Sequence, residues 1–244
     1  MDKTLEEAEL LIESSSLLGE GPIWDPLRQV LWWVDILESL VHCHNPANGS
    51  NRSWPIGQLI GTIVTSRDNR LIIATEKGFH WFYPETGNTE LIVDPEPDKP
   101  YNRFNDGKCD PSGRLWAGTM AINEEGNSGT LYCLHSNGIA ETKEVGYAIP
   151  NGIVWNDEAT IMYHIDSPTR QVDAWDYENA TGNISNRRTV FQVTQEGAFP
   201  DGMAMDVEGK IWLALWGGWA VIRFDPDTGK ELTRIPVPVS RTSA

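Results

Sequence analysis

The chain of 244 residues is poor in cysteine and in basic side chains, and it lacks a long apolar run. Its three cysteines, Cys43, Cys109 and Cys133, are odd in number and lack the spacing of a metal-binding motif, so we expect reduced thiols. Its apolar segments fall short of the roughly 18 residues that a membrane-spanning helix needs. The start, "MDKTLEEAELLIESSS", is acidic where a signal peptide is basic and then apolar, which predicts a cytoplasmic protein.

Positive charge is scarce. The chain has 19 Lys and Arg against 35 Asp and Glu, a net charge of -16. Such a surface repels nucleic acid and anionic lipid and attracts cations, so we expect neither nucleic acid nor a membrane as a partner. Solubility is the simplest explanation of the acidic excess. Whether the acidic surface also serves to attract cations stays open.

The sequence is rich in short strand-like runs. Five bulky runs each follow a turn signal, and each is followed by a second run that ends in a turn. The first runs are "VLWWVDI" (30–36), "RLIIATE" (70–76), "RLWAGTM" (114–120), "TIMYHID" (160–166) and "KIWLALW" (210–216). This recurrence predicts an all-β chain built from repeated units.

A residue followed by glycine precedes each first run by about ten residues. The glycines are Gly21, Gly61, Gly107, Gly152 and Gly202, at intervals of 40, 46, 45 and 50 residues. Five units of this size, each with about four strands, indicate the blades of a β-propeller, in which the innermost strands line a central channel. The residues before the glycines should therefore share one position at the channel mouth. They are Glu20, Ile60, Asp106, Asn151 and Asp201.

Four of these five residues carry oxygen, and three are carboxylates. A turn also favours Asp or Asn before Gly, which explains Asn151-Gly152 well and Glu20-Gly21 poorly. Converging carboxylates repel one another unless a positive charge lies among them. Oxygen ligands without a thiolate suit a divalent cation such as Ca²⁺, Mg²⁺, Mn²⁺ or Fe²⁺.

The same residues lie in longer motifs that resemble the senescence-marker-protein, gluconolactonase and regucalcin family. The motifs are "LGEGPIWDP" (18–26), "RFNDGKCDPSGRLWAGTM" (103–120), "GTLYCL" (129–134), "IPNGIVWN" (149–156), "DSPTRQVDAWDY" (166–177) and "FPDGMAMDVEGKIWLALWGG" (199–218). The resemblance covers nearly the whole chain from Gly19 and is greatest to bacterial sugar-acid lactonases, including xylonolactonase-like members. It implies a six-bladed β-propeller that holds one divalent metal ion and hydrolyses sugar lactones.

The resemblance also implies roles for individual residues. The metal ligands of the family correspond to Glu20, Asn151 and Asp201. Its substrate contacts correspond to Arg103, Asn105 and Asn123, the last standing where vertebrate members have an acidic residue, with Glu124 beside it. Asp106 fits as a neighbouring polar contact. The metal could be Fe²⁺, Ca²⁺, Zn²⁺ or Mn²⁺.

One departure from the family is the number of blades. We count five, whereas the family has six and continues for about one more repeat. We therefore expect residues 1–244 to be one propeller domain that is truncated at its C-terminus, or else five blades that close in their own way. In the family, a strand equivalent to residues 10–14 completes the last blade.

These residues suggest a mechanism, and other functions stay open. A metal ion would polarise the lactone carbonyl and activate water, and Asp201 or Asp106 would accept the proton of the water. The substrate could be xylono-, arabino- or gluconolactone. The alternatives are a Ca²⁺-binding regulatory propeller with little catalysis, a different hydrolase on the same scaffold, and a fragment that folds poorly. The oligomeric state stays open.

Overall fold

The computed structural model of the protein describes residues 8–68 and 70–244. These residues form twenty β-strands and one short 3-10 turn. The strands make five four-stranded sheets, and within each sheet consecutive strands are hydrogen-bonded neighbours. The fold is all-β and has five blades of a β-propeller, which confirms the prediction from the repeat.

The blades follow one another along the chain without crossovers. Blade 1 consists of β1 (Gly19–Asp25), β2 (Val30–Asp35), β3 (Leu40–Asn45) and β4 (Ser50–Pro55). Blade 2 consists of β5 (Ile60–Thr65), β6 (Leu71–Thr75), β7 (Gly78–Tyr83) and β8 (Asn88–Val93). Blade 3 consists of β9 (Asn102–Cys109), β10 (Leu115–Ala121), β11 (Gly129–Leu134) and β12 (Ala140–Tyr147). Blade 4 consists of β13 (Pro150–Trp155), β14 (Ile161–Asp166), β15 (Gln171–Glu178) and β16 (Asn183–Gln192). Blade 5 consists of β17 (Phe199–Met205), β18 (Ile211–Trp216), β19 (Ala220–Asp225) and β20 (Lys230–Pro236).

Burial falls from the second strand of each blade to the fourth. The five bulky runs of the sequence form the second strands, which are largely buried; every residue of β10 is buried. The fourth strands carry mostly polar residues and are mostly exposed, as in β4 and β16. The apolar side chains that made these runs recognisable are therefore the ones that form the core.

Three aspartates hold the turns that lead into second strands. Asp25, Asp110 and Asp206 each accept hydrogen bonds from backbone N–H groups of their own turn. Each also accepts the indole N–H of a tryptophan in the following strand: Trp32 at 3.3 Å, Trp116 at 2.9 Å and Trp212 at 3.0 Å. These contacts explain why tryptophan is frequent in a chain of short strands, since the ring fills the core and its N–H closes the turn.

Contacts divide the chain into two compact units. The N-terminal unit is Ser16–Pro150, and the C-terminal unit is Asn151–Ala244 with the described part of Met1–Ser15. In the N-terminal unit, one apolar cluster joins blades 1 and 2 and another joins blades 2 and 3. In the C-terminal unit, one cluster joins blades 4 and 5, and Phe191 stacks on Phe224 within it.

The segment that corresponds to the N-terminal strand of the family has no strand partner in the five sheets. Residues 10–14 are not in a strand. A strand needs a partner for its backbone hydrogen bonds, and each of the five sheets is already made up of four other strands. The single truncated domain over residues 1–244 stays a prediction.

The other findings concern cysteines and membrane spans. Cys43, Cys109 and Cys133 are free thiols, as expected. Burial raises the pKa of Cys133 to about 12, which makes it an unreactive core residue. Among the described residues, no helix has the length and hydropathy needed to cross a membrane.

Candidate active site

The residues before the repeated glycines all lie on the first strand of a blade. Glu20 is on β1, Ile60 on β5, Asp106 on β9, Asn151 on β13 and Asp201 on β17. In the N-terminal unit, β5 packs against both β1 and β9, so first strands of neighbouring blades are adjacent. This arrangement confirms that the repeat marks the innermost strand of each blade.

The repeated glycines are needed where first strands approach each other. A Cβ added at Gly61 would lie 2.3 Å from the carbonyl oxygen of Phe104, and one at Gly152 would lie 2.7 Å from that of Asp201. No side chain fits at such distances, so packing between blades requires glycine there. The alternative explanation, a turn that favours Asp or Asn before Gly, is wrong because these pairs lie within strands.

Most of these pairs also interrupt the strand register. The pairing of β17 with β18 shifts between Pro200 and Met203, around Asp201-Gly202. Similar shifts occur at Glu20-Gly21, at Gly61 and beside Asp106-Gly107. A bulge turns a side chain away from the regular alternation of a strand, and bulges are frequent beside active sites. The polar side chains of the repeat are therefore presented by bulged backbone.

Arg103 is a buried cation of the N-terminal unit, with 5% of its surface exposed. Its Nη1 donates to the carbonyl oxygen of Phe104 at 3.0 Å and to Oδ1 of Asn105 at 2.8 Å. Burial lowers the pKa of Arg103, while the negative charges of Glu124 and Glu20 act in the opposite direction. A guanidinium ion in this setting is a positioned donor for oxygen atoms.

Asn105 is fixed at both ends of its amide. Its Oδ1 accepts from Arg103, and its Nδ2 donates to the carbonyl oxygen of Pro150 at 2.9 Å. These bonds hold the Arg103 side chain in one orientation. The structure thus places the two predicted substrate contacts, Arg103 and Asn105, in one hydrogen-bonded group; their contact with substrate stays a prediction.

Asp106 accepts a backbone hydrogen bond and has a raised pKa. Its Oδ1 accepts the N–H of Gly107 at 2.6 Å. Burial raises the pKa of Asp106 to about 6, and the nearby Lys108 ammonium and the Gly107 hydrogen bond limit that rise. Burial also lowers the pKa of Lys108, and the charge of Asp106 opposes it. Near pH 7, Asp106 is therefore mostly charged yet can accept a proton readily.

The loop after β10 places the negative charge of Glu124 within electrostatic reach of Arg103. Asn123 is exposed and is bonded within its own turn, where Oδ1 accepts the N–H of Glu125 at 3.2 Å. Glu124 has a left-handed backbone with φ of 61°, which changes the direction of the chain between the two side chains. A substrate contact by Asn123 stays a prediction. Glu124 is the acidic side chain of this loop whose charge acts on Arg103.

In the C-terminal unit, Asn151 and Asp201 are joined through one serine. The Asn151 Nδ2 donates to Oγ of Ser167 at 2.9 Å, and that Oγ donates to the carbonyl oxygen of Pro200 at 2.6 Å. Pro200 directly precedes Asp201, whose Oδ1 accepts the N–H of Gly202 at 2.7 Å. Asn151 and Asp201 are both buried, with 8% and 5% of their surface exposed.

The chemistry of this pair fits a divalent cation. The amide nitrogen of Asn151 is used by Ser167, so its oxygen is the atom suited to face a cation, and Asp201 supplies carboxylate oxygen. The described residues contain no group of three His, Cys, Asp or Glu side chains suited to a metal ion. The pair described here includes an asparagine, which is not one of those four residue types.

Ser167 and Lys108 are functional candidates that sequence reasoning did not assign. The sequence places Ser167 in the turn "DSP" after β14, and it does begin a 3-10 turn, Ser167–Thr169. Its hydrogen bond to Pro200, which is 33 residues away in the chain, has no local signal. For Lys108, the only signal is its position two residues after Asp106 on β9.

Comparison with known proteins gives the same family as the motifs. The profile of the SMP-30/Gluconolactonase/LRE-like region matches residues 18–244. The chain belongs to this family. It is 35% identical over 232 residues to a Bacillus subtilis protein named "Putative sugar lactone lactonase YvrE", covering 95% of this chain and 80% of that protein. It is 34% identical over 241 residues to regucalcin of Xenopus laevis, covering 97% of this chain and 81% of that protein.

A solved relative has the same fold. The crystal structure of a calcium-binding protein, regucalcin of Agrobacterium tumefaciens, superposes with a TM-score of 0.89 at 32% identity. The match covers 93% of this chain and 77% of that one. The family thus includes proteins named for sugar lactone hydrolysis and proteins named for calcium binding.

Proposed function

We propose that the protein is a metal-dependent hydrolase that opens sugar lactones, such as xylono-, arabino- or gluconolactone, to sugar acids. The observation that carries the proposal is the buried Asn151–Asp201 pair, whose oxygen chemistry suits a divalent cation. Membership of the lactonase family supports the reaction class.

The proposed metal ligands are Asn151 and Asp201 of the C-terminal unit and, from the family resemblance, Glu20 of the N-terminal unit. A bound divalent ion would supply a Lewis acid for the lactone carbonyl and lower the pKa of a bound water. Fe²⁺, Mn²⁺, Zn²⁺ and Ca²⁺ are the candidate ions, since an Asn and two carboxylates do not discriminate sharply among them.

Substrate binding is proposed for Arg103, Asn105 and Asn123. Arg103 is held by Phe104 and Asn105, so its guanidinium loses little freedom when it donates to a hydroxyl or to the developing negative oxygen of the lactone. The carboxylate of Glu124 also acts on Arg103 and can accept from a sugar hydroxyl.

Proton transfer is proposed for Asp201 and Asp106. Each carboxylate has one oxygen held by the N–H of the following glycine, at 2.7 Å and 2.6 Å. The pKa of Asp106, about 6, suits a general base at neutral pH, because the group is charged there and gains a proton at small cost.

The proposal is tested on chelator-treated protein with a panel of sugar lactones, each with and without one of the four candidate ions. We expect acid release, after subtraction of the uncatalysed rate, to return with at least one ion. Asp201→Ala should remove it, whereas Asp157→Ala, which deletes an exposed turn carboxylate of the same unit, should not. Folded wild-type protein that binds a metal but opens none of the lactones would contradict the proposal.

A calcium-binding regulatory protein with little catalysis is the second candidate. The observation that favours it is the similarity to proteins named regucalcin, one of which is described as calcium-binding. This function predicts tight Ca²⁺ binding without turnover, so the same panel separates the two candidates.

A further inference from the structure

Ser167 is the buried residue of an otherwise exposed turn. It begins the 3-10 turn Ser167–Thr169 between β14 and β15, and 7% of its surface is exposed, whereas Pro168 and Thr169 are exposed. The turn is closed by the N–H of Arg170, which donates to the carbonyl oxygen of Ser167 at 3.0 Å. The backbone therefore directs one hydroxyl into the blade interior.

The partners of that hydroxyl determine which way the Asn151 amide faces. A serine hydroxyl has one hydrogen to donate, and the carbonyl of Pro200 can only accept. At 2.6 Å from Pro200, Ser167 Oγ must donate to that oxygen, so it can only accept from Asn151. The amide must then turn its NH₂ group towards Ser167, at 2.9 Å, and its oxygen away from it.

The same hydroxyl joins the strands of two proposed ligands. Asn151 is on β13, and Pro200, which precedes Asp201, is on β17. Gly152 has no room for a Cβ because the carbonyl oxygen of Asp201 would lie 2.7 Å away, so the two strands are in close contact here. Ser167 thus controls both the orientation of one proposed ligand and its distance from another.

We propose that Ser167 is a positioning residue that holds the oxygen, and not the NH₂ group, of the Asn151 amide towards a divalent cation. This inference rests on the proposed metal site. Without the hydroxyl, the Asn151 amide can rotate and present two hydrogens to the cation, which repel it. Loss of a group that orients a metal ligand weakens metal binding by about 10- to 100-fold.

The test measures Mn²⁺ and Ca²⁺ affinity by calorimetry, with the metal alone as the probe. We expect Ser167→Ala to weaken binding by about 10- to 100-fold and Ser167→Thr, which keeps a hydroxyl, to restore most of it. Thr119→Val is the matched control, because Thr119 Oγ1 also bridges a buried N–H and carbonyl, both of Thr130, at 3.0 Å and 3.4 Å. This control should lower the melting temperature without changing metal affinity.

The same Ser167→Ala substitution made in an Asn151→Asp protein distinguishes positioning of the amide from general destabilisation. Asn151→Asp gives a ligand with two equivalent oxygens that needs no orientation, so Ser167→Ala should cost much less affinity there than in the wild type. Equal costs in the two backgrounds, or wild-type affinity in Ser167→Ala, would overturn the inference.

The outcomes also separate this inference from the proposed function. Wild-type protein that binds metal but opens no lactone contradicts the hydrolase, while the affinities still decide the role of Ser167. Wild-type protein that binds neither Mn²⁺ nor Ca²⁺ would overturn this inference, while the lactone panel with Fe²⁺ and Zn²⁺ would still test the hydrolase.

Discussion

Two Asp-Gly pairs of the molecule have the same local structure and different surroundings. Asp106-Gly107 on β9 and Asp201-Gly202 on β17 each close a hydrogen bond from the glycine N–H to the aspartate, at 2.6 Å and 2.7 Å. The residue that follows is Lys108 in the first pair and Met203 in the second. One pair therefore has a cation close by, and the other has a buried apolar side chain.

The side chains around the two pairs also differ in their chemistry. Asp106 follows Arg103 and Asn105, a donor group suited to sugar oxygens. Asp201 follows Pro200, whose carbonyl accepts a hydrogen bond from Ser167, and Ser167 in turn accepts one from Asn151, a proposed metal ligand. A repeated backbone motif thus lies once beside the proposed substrate-binding groups and once beside a proposed metal ligand, and the two sites differ in their surroundings.

The largest difference expected between the pairs is in catalysis. Asp201→Ala should abolish lactone turnover together with metal binding, because it removes a ligand. Asp106→Asn should lower turnover by about 100-fold while metal affinity stays within about threefold, as for loss of a general base. Steady-state kinetics and calorimetry on the two variants check this. Normal rates from Asp201→Ala would show that the assignment is wrong.

A second difference concerns packing around the glycines. A Cβ at Gly107 would lie 2.6 Å from the carbonyl oxygen of Trp116, which is part of a strand, so Gly107→Ala should cost about 2 kcal/mol or more of unfolding free energy. A Cβ at Gly202 would meet the carbonyl oxygen of Ala244, which lies outside the five sheets in a segment held to blade 5 by the Trp216–Arg241 bridge and by a hydrogen bond from Gly217 N–H to the Ser240 carbonyl. Gly202→Ala should therefore cost less.

Urea unfolding of both glycine variants measures this difference. Gly113→Ala is the control, because Gly113 has φ of 84° and nothing within 4 Å of a Cβ, so only backbone strain of about 1 kcal/mol is expected. A Gly202→Ala protein less stable than Gly107→Ala would contradict the expected order.

A third difference should be visible in pH profiles. Lys108 limits the rise in the pKa of Asp106, so Lys108→Met should raise that pKa further above about 6. If Asp106 is the base, the acidic limb of the plot of kcat against pH should move to higher pH by about 0.5 to 1.5 pH units. An unchanged limb in a folded variant would indicate that Asp106 is not the base.

A fourth difference concerns how stability depends on pH. Burial raises the pKa of Asp106 from 3.8 to about 6, so the folded state holds this proton more tightly than the unfolded state. Its contribution to stability is present below pH 3.8 and is lost as the pH rises through about 6. His164 in the C-terminal unit acts oppositely, because burial lowers its pKa to about 3.

Comparison of Asp106→Asn with the wild type isolates the first contribution, since His164 is common to both proteins. The difference in unfolding free energy between them should change by about 2 kcal/mol from pH 4 to pH 7. A constant difference across that range would contradict the raised pKa.

Much of the fold could be predicted from local sequence. The bulky runs became the second strands because their side chains are apolar and the turn residues before them are distinctive. The residue-glycine repeat identified the first strands. At Gly61 and Gly152 glycine is required because a first strand of the neighbouring blade lies too close for a Cβ.

Less of the site could be predicted, because its details depend on residues far apart in the chain. The bond between Arg103 and Asn105 and the effect of the Glu124 charge on Arg103 depend on packing, and the substrate contact by Asn123 stays a prediction. Residues 10–14, which correspond to a strand of the last blade in the family, are not in a strand here, since strand pairing depends on available partners and not on local propensity alone.

The sequence by itself determined the repeat, the order of strands and turns, and the polar residues that stand before the glycines, because these depend on spacing and side-chain type. Only the tertiary structure decided which way the Asn151 amide faces, that Arg103 is held by Asn105, and that Asp106 has a raised pKa. The physical reason is that hydrogen-bond direction and burial depend on groups brought together by packing, such as Ser167 and Pro200, which are 33 residues apart.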